Sequence, residues 1–179
     1  MKSYISKMRG GPRSSPRIGL KDTLWSTGSA FFGVAAVVLV NVWVLEDTDL
    51  VLLVGSFGAS AVLVYGTIES PSAQPRNLIG GHLVSATVGV TVYLLLPEQV
   101  WLAAPLAVAA AIALMLLTHT LHPPGGATAL IAVVGSSEIL ALGYMYAITP
   151  VAVGATIMLA VALLANNIPR HRKYPQFWF

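Results

Sequence analysis

The chain contains no cysteine and few charged residues. The absence of cysteine from 179 residues excludes disulfides, thiolate metal sites and a thiol nucleophile, and leaves the redox compartment undecided. Charged residues make up 9% of the chain and hydrophobic residues 56%, whereas an ordinary soluble domain is about 25% charged. The chain therefore has too little polar surface for a soluble fold, and we expect an integral membrane protein surrounded by lipid.

Acidic residues are missing from every long apolar interval. The uncharged intervals are residues 23–45, 50–68, 77–97, 99–137 and 139–169. Sodium-coupled transporters and carboxylate-relay pumps need buried acids, so their absence argues against both classes. The intervals also lack a Ser/His/Asp set, a phosphate loop and paired carboxylates, and we therefore expect neither an enzyme nor a bound cofactor.

The intervals predict an all-α membrane protein with about six segments, because a spanning helix takes about 20 residues. The predicted segments are 24–45, 50–68, 78–96, 101–120, 125–137 and 142–166. The fifth is too short to span unless its entry is unwound, and four crossings remain an alternative. For a chain of 179 residues, a compact bundle or a homo-oligomer is more plausible than a large vestibule.

Basic residues predict the orientation, since lysine and arginine stay on the cytoplasmic side. Six crossings place all ten basic residues inside, in a tail at 1–22, in a loop at Arg76 and in a basic, aromatic tail at 169–179. The first tail could also be read as a transit peptide, but its prolines disrupt the amphipathic helix that such peptides use. The basic residues flank apolar spans and form no face with interleaved aromatics, so no nucleic-acid partner is expected.

A polar, helix-breaking segment interrupts the fourth interval, and it reads His119-Thr120-Leu121-His122-Pro123-Pro124-Gly125-Gly126-Ala127-Thr128. Such backbone at membrane depth must be buried in protein or line a cavity. The two prolines oppose helix before the break, and a short helix that begins there would direct free amides and about half a positive charge at a ligand. This combination suits a small monovalent anion.

A weaker copy of this segment lies 68 residues earlier, where Gly58-Ala59-Ser60 resembles Gly126-Ala127-Thr128 in size and polarity. The copy predicts two inverted three-segment repeats within a membrane domain at 23–168, one at 24–96 and one at 101–166. Two helix starts would then face one anion from opposite sides. Close helix packing by small residues is the alternative explanation of the earlier copy.

Three histidines lie outside the tails, at His82, His119 and His122. Without a cysteine or carboxylate partner in the spans, metal transport through these three is a minor alternative. His122 is more plausibly a hydrogen-bond donor to an anion, or a group whose protonation couples proton and anion movement. His82 is as readily explained by helix capping as by a pore role.

A proline-rich stretch at 69–77 predicts a turn that presents Gln74, Arg76 and Asn77 at the mouth of the pathway. Arg76 could attract an anion there. It could equally be a topology charge or the partner of Glu69.

Two strings together resemble the HPP family of integral membrane proteins: residues 121–130, which contain His122-Pro123-Pro124-Gly125-Gly126-Ala127-Thr128, and residues 70–77, followed by Gly80-Gly81-His82. The resemblance covers residues 28–167. The resemblance implies transport of nitrite, with nitrate as a further substrate. It also implies that the functional residues are those of the HPPGGAT string together with Gln74, Pro75, Arg76, Asn77 and His82. We expect a bacterial, cyanobacterial plasma membrane as the location. The alternative function is a non-transporting membrane module that binds a protein or a lipid.

Overall fold

The computed structural model describes the backbone of residues 18–44 and 50–179, with side chains from 18–40 and 55–179. Residues 1–17 of the predicted tail at 1–22, and residues 45–49, lie outside this part. The described helices are α1 (Leu20–Val44), α2 (Leu50–Ala61), α3 (Pro75–Leu95), α4 (Val100–Leu117), α5 (Pro124–Val134), α6 (Ser137–Ala141) and α7 (Val153–Ala165). π-helical turns at Val62–Gly66 and Ala147–Ala152 extend α2 and precede α7.

The all-helical prediction is confirmed, and each of the six predicted segments corresponds to helix. Among the described residues, four helices are long and apolar enough to cross a membrane: Leu20–Val40, Pro75–Leu95, Val100–Leu117 and Ala147–Ala165. The remaining two predicted segments form the shorter apolar helices α2 and α5. The order long, short, long thus occurs twice along the described chain, as a two-repeat architecture requires. The inverted axis between the halves remains a prediction.

Proline explains where two of these helices begin. The predicted turn at 69–77 is wrong at its end, because Pro75 is the first residue of α3 and places Arg76 and Asn77 in the first helical turn. Proline lacks only an amide hydrogen that is unpaired at this position anyway, and its fixed φ suits a helix start. Pro124 begins α5 in the same way, and the preceding break extends back to the end of α4 at Leu117.

Small residues bring α3, α4 and α5 into close contact. The buried face of α4 repeats every four residues, at Ala103, Ala107, Ala111 and Met115, while large side chains of the same helix, such as Trp101 and Leu117, are exposed. A Cβ added to Gly89 of α3 would lie 2.5 Å from the Ala129 carbonyl oxygen of α5. In a bilayer such close backbone approach replaces the hydrophobic effect as the source of packing energy.

Candidate functional site

His82 of α3 lies at the centre of a buried polar cluster and is itself completely buried. Its Nε2 is 2.8 Å from Ser60 Oγ of α2, and its Nδ1 is 2.8 Å from Thr128 Oγ1 of α5. Ser60 and Thr128 are the matched hydroxyl residues of the two repeated motifs. Each short helix therefore supplies one hydroxyl to one nitrogen of the same imidazole.

His122 joins this cluster from the break before α5. Its Nδ1 is 2.7 Å from the Ser72 carbonyl oxygen, and its Nε2 is 2.8 Å from Ser60 Oγ. A carbonyl only accepts hydrogen bonds, so Nδ1 carries the hydrogen. In the neutral imidazole Nε2 is then the acceptor, and the Ser60 hydroxyl donates to it.

This assignment fixes the direction of the remaining bonds in the cluster. Since the Ser60 hydrogen is directed at His122, Ser60 Oγ accepts from His82 Nε2–H, and His82 Nδ1 accepts from the Thr128 hydroxyl. Ser56 Oγ lies 2.6 Å from Thr128 Oγ1 and donates to it. The result is a chain of hydrogen bonds with one direction, in the order Ser56, Thr128, His82, Ser60, His122 and the Ser72 carbonyl.

Close glycines hold the cluster in place. A Cβ on Gly81 of α3 would lie 2.5 Å from His122 Cβ, and a Cβ on Gly125 of α5 would lie 2.6 Å from Ser85 Oγ and 3.0 Å from the Gly81 carbonyl oxygen. Only hydrogen fits at either position without a shift of the neighbouring segment. By contrast, a Cβ on Gly126 would have its nearest neighbour, Val108 Cγ1, at 3.8 Å.

The predicted pair of helix starts is wrong on two counts. Gly58 and Ala59 lie inside α2, which begins at Leu50, because a segment in hydrocarbon keeps its backbone bonds unless proline removes them. The amides of Gly125 and Gly126 are also not free, since they donate to the His122 and Pro123 carbonyls at 2.8 and 3.0 Å. The structure therefore forms this cluster from side chains.

The three histidines proposed for metal transport do not come together. His82 and His122 are neighbours, with ring centroids 4.9 Å apart, but His119 is exposed beyond the end of α4, at a φ of 55°. Among the described residues, no group of three His, Cys, Asp or Glu side chains is arranged to hold a metal ion.

Comparison with known proteins assigns the family. The sequence profile of the HPP transmembrane region matches residues 15–175. The chain belongs to the HPP transmembrane family. It is similar to two transmembrane proteins of Dictyostelium discoideum, at 46% identity over 179 residues and at 41% over 181 residues. Each alignment covers 98% of this chain, but only 57% and 63% of the respective relatives. No solved structure matches.

The names of these relatives support a transmembrane protein and nothing finer, and the apolar helices of the described residues support several crossings. The relatives are eukaryotic, so the expected bacterial, cyanobacterial origin finds no support, and their names specify neither nitrite nor another anion. In structural terms, the HPP motif is the point at which His122 enters the polar cluster and Pro124 begins a short helix.

The side chains predicted at the mouth of a transport pathway donate hydrogen bonds to backbone carbonyls of the loops around them. Gln74 Nε2 donates to the carbonyls of Ile68 and Ser70, each at 2.9 Å. Arg76 and Asn77 donate to the Thr118 and Leu121 carbonyls, also at 2.9 Å. These bonds tie the start of α3 to the break before α5. The Glu69 pairing considered for Arg76 is not among the salt bridges of the described residues.

The carboxyl-terminal segment, predicted as a tail, packs against α1, against the π-helical turn after α2 and against the loop before α3. Arg172 donates to Ser26 Oγ, the Tyr65 carbonyl and Asn166 Oδ1 at 2.9–3.0 Å. Tyr174 is buried, and its hydroxyl donates to the Ala73 carbonyl at 2.7 Å. Sequence reasoning missed these contacts, and all but the Arg172–Asn166 bond join residues about 100 positions or more apart.

Ser56 is the cluster member that sequence reasoning missed and a pattern could have found. It precedes Ser60 by four residues, so both hydroxyls lie on one face of α2. Tyr146 was missed as well, and its hydroxyl donates to the Thr128 carbonyl at 3.0 Å. That bond fixes the backbone of α5 beside His82.

Proposed function

We propose that this HPP-family chain is a membrane transporter, not an enzyme, and that its substrate is a small monovalent anion. Nitrite is the first candidate, with nitrate second, because the family resemblance implies them. One observation carries the proposal: two short helices meet between long ones at a completely buried cluster of two histidines and three hydroxyl residues. Buried polar groups at membrane depth are costly and commonly mark the path of a solute.

The chemistry of the cluster favours an anion over a cation. Two imidazoles and three hydroxyls are able to donate hydrogen bonds, and the hydrogen bonds described for His82 and His122 include none to a carboxylate. Small dipoles bind an anion while still allowing its release.

The cluster side chains bond to one another, so an anion has to replace some of these contacts. Ser60 Oγ is the natural point of exchange, because it contacts both histidines at 2.8 Å. An anion oxygen that takes the place of the Ser60 oxygen would accept the hydrogen of His82 Nε2, and it would accept from His122 Nε2 once that nitrogen also carries a hydrogen. We place both termini on the cytoplasmic side, on the distribution of basic residues, and a homo-oligomer remains part of the proposal.

Uptake of nitrite into liposomes tests the proposal. The full chain is reconstituted, and initial uptake at pH 7.5 is compared with that of His82→Asn, Thr128→Val and the control His171→Asn. His171 is exposed and bonds only Asp22 among the described residues. We expect His82→Asn and Thr128→Val each to slow uptake about tenfold, because one lost buried hydrogen bond costs about 1.4 kcal/mol. The control should match the unsubstituted protein.

Two outcomes would contradict the proposal. Equal uptake by all four proteins would remove the cluster from the pathway. Vesicles that pass neither nitrite, nitrate, formate nor chloride faster than protein-free vesicles would favour the non-transporting module that binds a protein or a lipid.

A further inference from the structure

The Ser60 hydroxyl has two acceptors within reach for its single hydrogen. His122 Nε2 lies 2.8 Å away, and the Ser56 carbonyl oxygen lies 3.2 Å away, one helical turn earlier. In the neutral cluster the hydrogen is directed at His122, because Nδ1 of that ring already donates to Ser72. The Ser56 carbonyl is then a second acceptor that the hydroxyl reaches by rotation alone.

One added proton fits this arrangement without movement of heavy atoms. With a hydrogen on Nε2, His122 donates from both nitrogens, to Ser72 and to Ser60 Oγ. Ser60 Oγ then accepts from His122 and His82 through its two lone pairs, and its own hydrogen turns to the Ser56 carbonyl. Every polar hydrogen in both protonation states therefore has a partner.

We propose that His82, Ser60 and His122 form a binding site for one transferable proton, and that this proton crosses the membrane with the anion. The proposal rests on the anion-transport function above. As the anion enters, a hydronium ion gives its proton to the lone pair of His122 Nε2, so that one O–H bond breaks, one N–H bond forms and a water molecule is left. The same N–H bond breaks when the anion leaves, and the proton returns to water on the other side.

Electrostatics links the two binding events. Around the pair lie Ser60 from α2, Thr128 from α5, the Phe57 ring with its centroid 5.1 Å from that of His82, and the Ser72 carbonyl. All of these groups are neutral. The salt bridges of the described residues lie elsewhere, at Asp22. A lone imidazolium in such surroundings is costly, whereas an imidazolium beside an anion adds no net charge.

The stoichiometry of transport tests the coupling. Liposomes that contain a pH-sensitive dye receive an inward nitrite gradient at pH 7.5. The measurement is made with and without valinomycin, which clamps the membrane potential. Protein-free vesicles give the background from diffusion of nitrous acid. We expect one proton to enter with each nitrite, and the rate to be independent of the clamped potential. Nitrite uptake that leaves the internal pH unchanged and follows the potential would overturn the proposal.

Removal of the Ser60 hydroxyl should weaken proton binding specifically. We expect Ser60→Ala to slow uptake about tenfold at pH 7.5 and less at pH 5.5, because the higher proton concentration restores the protonated state of His122. The control is Thr87→Ala, which removes an exposed hydroxyl that bonds only its own helix. A tenfold loss at both pH values would indicate a merely structural role for Ser60 and contradict the proposal.

A measurement without transport separates this proposal from the anion function. Solid-state NMR of protein labelled with ¹⁵N-histidine, in lipid at pH 7.5, should show His122 with hydrogen on Nδ1 and His82 with hydrogen on Nε2. Nitrite at lower pH should convert His122 to the doubly protonated form. Absence of nitrite flux refutes the anion function, whereas flux with His122 neutral throughout refutes only the proton site.

Discussion

The close approach of α3 and α5 at Gly125 yields a quantitative prediction. In Gly125→Ala the new methyl would lie 2.6 Å from Ser85 Oγ, 3.0 Å from the Gly81 carbonyl oxygen and 3.1 Å from Met115 Sδ. Optimal contacts between heavy atoms lie near 3.5–4.0 Å. Ser85 Oγ belongs to a side chain, but the Gly81 carbonyl belongs to the backbone of α3. The two helices must therefore separate by several tenths of an ångström.

Gly126→Ala is the matched control, because it adds the same methyl one residue later. Its nearest new neighbour, Val108 Cγ1, would lie at an ordinary 3.8 Å. Overpacking of a core costs about 1–3 kcal/mol, whereas alanine in place of glycine inside a helix gains about 0.5–1 kcal/mol. We expect Gly125→Ala to be less stable than the unsubstituted protein, and Gly126→Ala to equal or exceed it.

Thermal unfolding of the purified proteins in detergent measures the difference. A chain of this length shifts its Tm by about 2–4 °C for each kcal/mol. Gly125→Ala should therefore melt several degrees below Gly126→Ala. Equal melting temperatures would refute the tight α3–α5 contact on which the position of His122 depends.

Two further substitutions test the packing of the carboxyl-terminal segment. Arg172→Ala should lower the free energy of unfolding by about 1.5–3 kcal/mol, because its partners lose charge-assisted bonds, whereas exposed Arg170→Ala should change the melting temperature little. Tyr174→Phe should cost about 1 kcal/mol through loss of its bond to the Ala73 carbonyl, and exposed Tyr144→Phe should cost less. Burial raises the pKa of Tyr174, so this contribution should be complete below about pH 10 and decline as the pH rises further. Melting curves of each pair of variants between pH 7 and 11 measure both effects.

The sequence predicted the elements that proline and hydropathy control. Pro123 and Pro124 in an apolar interval predicted both the break and the short helix after it, because proline disfavours a helix interior but suits the first position of a helix. The earlier copy matches the later one in side-chain size but contains no proline. Gly58 alone does not break a helix in hydrocarbon, where unpaired backbone groups are costly. For this reason Gly58, which was predicted to start a helix, lies inside α2.

Several residues of the candidate site were predictable from the sequence, but its chemistry was not. The repeated motif identified Ser60 and Thr128, and the polar break identified His122. Their roles depend on which hydrogens are already bonded. The amides of Gly125 and Gly126 bond within their own turn, so the donors that remain are side chains, and only the three-dimensional contacts of His82 with both short helices reveal this.

The short segment between α2 and α3 connects the carboxyl-terminal segment to the proton site. Ser72 and Ala73 are consecutive residues of the 3-10 turn Pro71–Ala73. The Ser72 carbonyl accepts the Nδ1 hydrogen of His122, and the Ala73 carbonyl accepts the Tyr174 hydroxyl. A displacement of Tyr174 would therefore move the acceptor that holds the His122 tautomer. Because that tautomer directs every other bond in the cluster, the position of the carboxyl-terminal segment and the protonation of His122 are coupled through a single turn.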